Sequence, residues 1–164
     1  MPTRKYVFKN RSYYHIYDKT LDHKRIFLDE CVSVFTLMPN HFHLLVQQKT
    51  ENGIVNSMTK IMDSITRYYN IRNRRKGPLF LPHFNAVPIL SKQQLLYVSK
   101  YIHLNPLVAG MVKTPSELLK YKYSTLQDYS LHQSILTWID MNKILKHFNH
   151  SKEKYWQYLI GNRE

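Results

Sequence analysis

Three stretches in the first fifty residues carry the hydrophobic pattern of β-strands. Polar and apolar residues alternate over Tyr13–Tyr17, and Cys31–Leu37 is rich in valine and phenylalanine. A third run, His41–Gln47, follows the turn-forming residues at positions 38–40. Two short β-runs joined by a proline–asparagine turn predict an antiparallel hairpin.

Helical periodicity begins after this hairpin. From Asn52 to about Arg74 the apolar residues recur every three or four positions, which predicts a long amphipathic helix. Phe84–Leu90 predicts a further strand. A second helix is expected from Ser91, a suitable N-cap, to about Asn105.

Pro106 marks the expected end of this second helix, because the residue before a proline disfavours the helical region. Gln94 lies three residues after Ser91, where its side chain can hydrogen-bond the backbone amide of the N-cap residue to form a capping box. The rest of the chain predicts a short basic helix or loop from residue 115 and helical pieces at 138–148 and 151–160.

The elements follow in the order strand, hairpin, helix, strand, helix and small helical tail. This order predicts an α+β fold with one antiparallel sheet and helices mainly on one face. The 164 residues suffice for one domain with a sizeable core and are too few for two ordinary ones. We expect residues 1–130 to form the main body and 131–164 a helical extension of the same domain.

Composition narrows the possible partners. Lysine and arginine number 24 against 11 acids, which gives a net charge of +13, and 13% of the residues are aromatic. The 43% hydrophobic content excludes a fully disordered chain, and the lone Cys31 excludes a disulfide framework. A basic, aromatic-rich domain points toward a polyanion, most simply nucleic acid.

Several other classes of protein are also disfavoured. The basic N-terminus has no apolar run behind it, so we expect a cytoplasmic protein without a membrane partner. Only four glycines occur, and none forms a glycine-rich phosphate loop, which excludes P-loop and Rossmann sites.

The sharpest candidate for chemistry is the sequence His41-Phe42-His43. Residues i and i+2 of a strand point to the same face, so the two imidazoles project side by side and can converge on one divalent ion. A pair of partly exposed surface histidines is the alternative interpretation.

A second candidate lies on the helix after Ser91, where Tyr97, Tyr101 and Asn105 recur at spacing four and therefore share a face. Asn105 could complete a metal site beneath the Tyr101 phenol. Alternatively, Asn105 is a helix-end residue and Tyr101 a buried phenol with a satisfied hydroxyl. For Tyr97 we favour a core or groove aromatic, and for His103, on another face, a solvated or DNA-facing role.

The third candidate is a basic run at the end of the long helix, formed by Arg67, Arg72, Arg74, Arg75 and Lys76. Neighbouring aromatics that could stack on unpaired bases are Tyr68, Tyr69 and Phe80. A charge run is usually a solvated helix face, but the overall charge favours phosphate contacts without sequence specificity.

These segments resemble a known family. Residues 37–46 resemble the histidine–hydrophobe–histidine (HUH) motif of single-tyrosine transposases; their sequence is Leu-Met-Pro-Asn-His-Phe-His-Leu-Leu-Val. Within that family they are most similar to the REP-associated tyrosine transposases. Residues 101–112 resemble that family's Tyr-Ile-x-x-Asn-Pro block. The blocks at 77–80 and 84–86 lie between these two segments in the family's order, and the block at 123–125 follows them, so the resemblance covers nearly the whole chain.

The resemblance implies a ferredoxin-like (RRM-like) HUH endonuclease fold, with residues 1–130 as the catalytic domain. It implies that His41, His43 and Asn105 hold Mg²⁺ or Mn²⁺, which would polarise the scissile phosphate. It further implies that Tyr101 is the nucleophile and forms a 5′-phosphotyrosine while freeing a 3′-hydroxyl. The implied substrate is single-stranded DNA next to a hairpin, cut by a homodimer.

The sequence departs from the family at one place. Relatives carry a long helix between the first strand and the HUH hairpin, but here Ile26–Asp29 runs directly into the strand at Cys31. We therefore expect the first helix to be missing, which would expose roughly several hundred Å² of apolar sheet. Either the C-terminal helices or a partner chain fills this gap, or the protein is impaired.

Two other functions remain open. One is a non-catalytic nucleic-acid-binding protein that uses an RRM-like sheet and the basic helix. The other is a zinc hydrolase that uses His41, His43 and a third histidine such as His83. The lack of a Glu or Asp close to the histidine pair argues against the hydrolase.

Overall fold

The computed structural model describes residues 8–18, 31–81, 83–130 and 136–161. Its strands are β1 (Tyr13–Asp18), β2 (Cys31–Leu37), β3 (Phe42–Gln47) and β4 (Asn85–Ile89). Its helices are α1 (Gly53–Arg72), α2 (Lys92–Val108), α3 (Pro115–Leu119), α4 (Leu126–Ser130), α5 (Asn142–Leu145) and α6 (Lys152–Ile160), with a 3₁₀ turn at Lys146–Phe148. Among these residues, none of the helices is both long and apolar enough to cross a membrane.

The four strands form one sheet in the order β2-β3-β1-β4, and every neighbouring pair is antiparallel. The predicted α+β fold with an antiparallel sheet is therefore confirmed. The hairpin turn closes where the Met38 amide donates to the His41 carbonyl at 2.8 Å. Register places Tyr17 of β1 opposite both His43 of β3 and Asn85 of β4. One end of the sheet therefore holds the start of β3, the start of β4 and the end of β1.

The long helix α1 covers one face of the sheet. Its buried side chains recur every three or four residues and meet the apolar residues that β1 and β3 turn to this face. The helical set is Ile54, Met58, Ile61 and Ile65, and the strand set includes Ile16, Phe42, Leu44 and Val46. The predicted helix over 52–74 is thus confirmed to within two residues at each end.

The other face of the sheet carries most of the helices. Val34 of β2 and Leu45 of β3 pack into a cluster with buried residues from each helix from α2 to α6. Among the described elements α1 alone packs on the opposite face, so the placement of helices mainly on one face is confirmed, with the longest helix as the exception. Tyr155 and Leu159 join this cluster from α6, which ties the end of the chain to α2.

The helix α2 does not end at Pro106, which corrects the prediction. It continues to Val108, and the Ala109 and Met111 amides donate to the Asn105 and Pro106 carbonyls at 2.8 and 2.9 Å. Proline has no backbone N–H to donate, and it disfavours the helical conformation of the residue before it. The helix nevertheless continues through Pro106 in its last turn. Asn105 is therefore an interior residue of α2 and does not end it.

The other end of α2 follows the prediction closely. The Gln94 amide donates to the Ser91 hydroxyl at 3.1 Å, which is the expected N-cap bond. The Gln94 side chain reaches back to the amide of Leu90 at 2.8 Å, one residue earlier than a capping box requires.

The segment before α5 helps to cover the α1 face. Trp138 stacks on Phe35 of β2 with ring centroids 5.7 Å apart and planes 4° apart, and Leu136 and Met141 pack against the same cluster. These residues precede α5, whereas buried residues of the C-terminal helices α5 and α6 pack in the cluster on the other face. The predicted absence of a helix between β1 and β2 concerns residues 19–30, which lie outside the described residues.

Candidate active site

A cluster of aromatic side chains lies between the sheet and α2. Side chains alternate between the two faces of a strand, so His15 and Tyr17 of β1 and His43 of β3 all point toward α2. His15 lies diagonally across the strand pair from His43, a spacing that lets two rings touch. From above, α2 adds Tyr101 and, one turn later, Asn105.

Both ring nitrogens of His43 have close polar neighbours. Its Nδ1 lies 3.0 Å from His15 Nε2, and its Nε2 lies 3.3 Å from Asn105 Nδ2. The His15 and His43 rings stack with centroids 5.2 Å apart. An amide nitrogen can only donate, so His43 Nε2 accepts from Asn105 and the His43 proton lies on Nδ1.

Burial keeps these imidazoles neutral. It lowers the pKa of His43 to about 3, with further contributions from the neighbouring His15 and His41 charges, and lowers the pKa of His15 to about 4. A neutral imidazole is the form that binds a metal ion or accepts a proton.

The two histidines of the predicted pair meet edge to face. The His41 and His43 ring centroids are 5.0 Å apart at an interplanar angle of 86°. His41 lies just before β3, at the edge of the cluster, and its Nδ1 is 2.7 Å from Asn40 Oδ1. This contact fixes the ring so that Nε2 is the nitrogen on the side away from Asn40.

Tyr101 contacts the cluster and also reaches solvent. Its ring packs edge-on against His43 and His15 at centroid distances of 5.3 and 5.8 Å, while the residue stays 40% exposed. It is therefore neither a buried core phenol nor a free surface residue. Tyr97, one turn earlier, is 66% exposed, so a core position for it is wrong, and a groove position stays a prediction.

Two imidazoles and a side-chain amide supply the donor atoms of this cluster. His43 Nε2 has its lone pair directed at the Asn105 amide, and rotation of that amide by half a turn would present its oxygen in place of the nitrogen. Among the described residues, no three or more His, Cys, Asp or Glu side chains are grouped to hold a metal. A cation here would therefore depend on two imidazoles and an amide oxygen. Within the part of the chain that the structure describes, the three-histidine zinc site is therefore not assembled, and His83 is exposed before β4.

The basic run lies at the same end of the sheet as His41. All five of its residues, Arg67, Arg72, Arg74, Arg75 and Lys76, are exposed. They occupy the last turns of α1 and the loop that leads into β4, whose first residue pairs with Tyr17 opposite His43. Arg75 also has a structural role, since its guanidinium donates to Asn70 Oδ1 at 3.2 Å and to the Pro78 carbonyl at 2.9 Å.

His103 does not face solvent or DNA, contrary to the prediction. It is completely buried, with Nδ1 2.8 Å from the Tyr155 hydroxyl and Nε2 2.9 Å from Thr125 Oγ1. Burial lowers its pKa to about 3, so it is neutral. Its partners lie 22 and 52 positions away, which is why inspection of α2 alone misassigned it.

Comparisons with known proteins support the fold. No protein-family model and no curated protein sequence matches the chain. Among solved structures, the chain is similar to a REP-associated tyrosine transposase bound to a REP hairpin. The TM-score is 0.65, the identity is 12%, and the match covers 86% of this chain and 93% of that one. This similarity concerns the arrangement of helices and strands.

Proposed function

We propose that this protein is a metal-dependent enzyme that nicks and rejoins single-stranded DNA through a covalent tyrosine intermediate. The observation that carries this proposal is the position of Tyr101, a partly exposed phenol in edge contact with His43 and His15. Asn105 lies one turn later on the same helix, 3.3 Å from His43. The proposed nucleophile therefore lies next to His43 and Asn105, two of the proposed cation-binding residues, within one chain.

In the proposed reaction the Tyr101 hydroxyl oxygen attacks a backbone phosphorus of the DNA. The bond between phosphorus and the 3′ oxygen breaks, the phenol releases its proton to water, and the leaving 3′ oxygen takes up a proton. Tyr101 is then joined to the 5′ phosphate. Attack by a 3′-hydroxyl reverses these steps and reseals a strand without an external energy source, because one ester replaces another.

His41, His43 and Asn105 would hold a magnesium or manganese ion beside the phenol. When bound, the divalent ion polarises the scissile phosphate and stabilises the negative charge that develops on it. The edge contacts with His15 and His43 restrict the Tyr101 ring. This pre-orientation lowers the entropic cost of the attack.

We propose single-stranded DNA next to a hairpin as the substrate. The similar solved structure contains a REP hairpin, and the exposed basic run supplies phosphate-binding charge at the His41 end of the sheet. A homodimer remains part of the proposal, to be measured by sedimentation with and without the hairpin. The division into a catalytic domain over 1–130 and an extension over 131–164 likewise stays a prediction.

The test uses a hairpin oligonucleotide with single-stranded flanks, labelled at its 3′ end and incubated with the full-length protein and Mn²⁺ or Mg²⁺. We expect a labelled protein band on a denaturing gel. Tyr101→Phe should abolish the band. Tyr97→Phe is the matched control, because it removes a more exposed phenol one turn earlier on the same helix, and it should leave the band unchanged.

The alternatives give different results in the same assay. Salt-sensitive binding without an adduct, unaffected by metal, His43→Ala or Tyr101→Phe, would show a non-catalytic nucleic-acid-binding protein. It would also be the result for a protein impaired by the short segment before β2. An adduct that persists in Tyr101→Phe would overturn the nucleophile assignment, and Tyr17, whose ring lies 6.0 Å from His43, would be the next phenol to test.

A further inference from the structure

The histidine in the middle of β1 belongs to the cluster, although no motif marks it. His15 lies 28 positions before His43 in the chain, yet its Nε2 is 3.0 Å from His43 Nδ1. The two rings stack with planes 30° apart, and the Tyr101 ring meets the edge of His15 at an angle of 74°. His15 thus touches both the predicted metal ligand and the predicted nucleophile.

The direction of the hydrogen bonds gives His15 a specific role. Asn105 Nδ2 donates to His43 Nε2, so that nitrogen carries a lone pair and the proton lies on Nδ1. The Nδ1–H group points at His15 Nε2, which accepts it, and the remaining proton of His15 lies on its own Nδ1. Without this acceptor, Asn105 alone would favour the Nδ1–H form of His43, and a half-turn of its amide would pair the Nε2–H form equally well.

We propose that His15 is a positioning residue that holds His43 in the Nδ1–H tautomer and thereby presents the Nε2 lone pair to a cation at Asn105. Ligating histidines commonly donate their second ring N–H to such a partner, which fixes the ring and the tautomer. The link to a cation rests on the proposed function, but the tautomer is a property of the metal-free protein.

Two substitutions separate this role from simple packing. His15→Phe keeps an aromatic ring against His43 and Tyr101 but removes the acceptor. His15→Gln removes the ring but places an amide oxygen close to the position of Nε2. The positioning role predicts that His15→Phe is the harmful change and His15→Gln the tolerated one, whereas a packing role predicts the reverse order.

The first measurement is the nitrogen NMR spectrum of the imidazoles in the metal-free protein at neutral pH. We expect a protonated Nδ1 and a bare Nε2 for His43 in the wild type and in His15→Gln. In His15→Phe we expect the Nε2–H form to become populated. A wild-type His43 protonated on Nε2 would overturn the proposal even if His15→Phe failed to fold.

The second measurement is Mn²⁺ affinity by electron paramagnetic resonance without DNA. His15→Phe should weaken binding by about 10- to 100-fold, as loss of such a partner does elsewhere, while His15→Gln should stay near the wild type. Pulsed spectra should count two coordinated imidazoles, and three would make His15 a ligand and refute the positioning role. A missing DNA adduct alongside the expected tautomer would overturn the proposed function and leave this inference standing.

Discussion

The buried hydroxyl of Tyr155 anchors the C-terminal helix to the helix that carries Tyr101. It lies 2.8 Å from His103 Nδ1 and 3.3 Å from Ser99 Oγ, and Ser99 in turn donates to the Leu96 carbonyl at 2.7 Å. One set of proton positions satisfies the contacts of His103 and Tyr155: Thr125 donates to His103, His103 to Tyr155, and Tyr155 to Ser99. Because the Phe35 amide of β2 donates to Thr125 Oγ1 at 3.0 Å, the chain of bonds continues from β2 to α2.

Tyr155→Phe removes this hydroxyl and leaves the ring in place, so no cavity forms. Either tautomer of His103 then has Nδ1 without a partner in a position that is 0% exposed. Leaving one buried polar group unsatisfied costs about 1–3 kcal/mol of the free energy of unfolding. For a domain of this size that corresponds to a melting temperature lower by about 2–12 °C.

Urea denaturation followed by circular dichroism measures the change in unfolding free energy. Tyr158→Phe is the control, since it removes a phenol from the same helix at a half-buried position, and it should change stability by less than about 0.5 kcal/mol. If Tyr155→Phe were as stable as this control, the hydrogen-bonded chain through His103 would not contribute to the free energy of unfolding.

Three further predictions follow from the fold and the charge. The double substitution Arg74→Ala and Lys76→Ala should reduce the slope of log binding constant against log salt concentration for single-stranded DNA by about 1.4, measured by fluorescence anisotropy. Lys154→Ala, on a different helix, is the control and should leave the slope unchanged. An unchanged slope in the double variant would show that Arg74 and Lys76 do not contact the DNA. Trp138→Ala should lower the free energy of unfolding by at least roughly 0.5–1.5 kcal/mol, the contribution of its aromatic pair with Phe35 of β2, measured by urea denaturation. A variant as stable as the wild type would contradict the covering role of Trp138. Burial, with a hydrogen bond to a carboxylate, raises the pKa of Cys31 from 9.0 to about 11. The native thiol should therefore resist alkylation at pH 8, and rapid alkylation of the folded protein would refute this. Because the thiol of the unfolded chain loses its proton at a lower pH, the free energy of unfolding should fall as the pH rises from 9 toward 11.

Local patterns were sufficient for most of the fold. The period of two in His41-Phe42-His43 and the period of four in Tyr97, Tyr101 and Asn105 depend only on strand and helix geometry. Each period correctly indicated which side chains share a face. The order of elements was then enough to indicate an antiparallel α+β domain, because few arrangements connect a hairpin to helices of these lengths.

The residues that were missed or misassigned depend on contacts distant in sequence. His15 joins the site through the register between β1 and β3, which no local pattern in β1 reveals. His103 is buried because Tyr155 and Thr125 close over it from two later segments. Pro106 carries a local preference for ending a helix, but the packing of the last turn of α2 outweighs that preference.

Tandem mass spectrometry of the protein after reaction with a single-stranded hairpin oligonucleotide tests the central claim most directly. We predict one modified peptide, with the 5′ phosphate of the downstream fragment attached to Tyr101, together with an upstream fragment whose 3′-hydroxyl a polymerase can extend. Cleaved DNA with no protein attached, or an attachment at any residue other than Tyr101, would contradict the account.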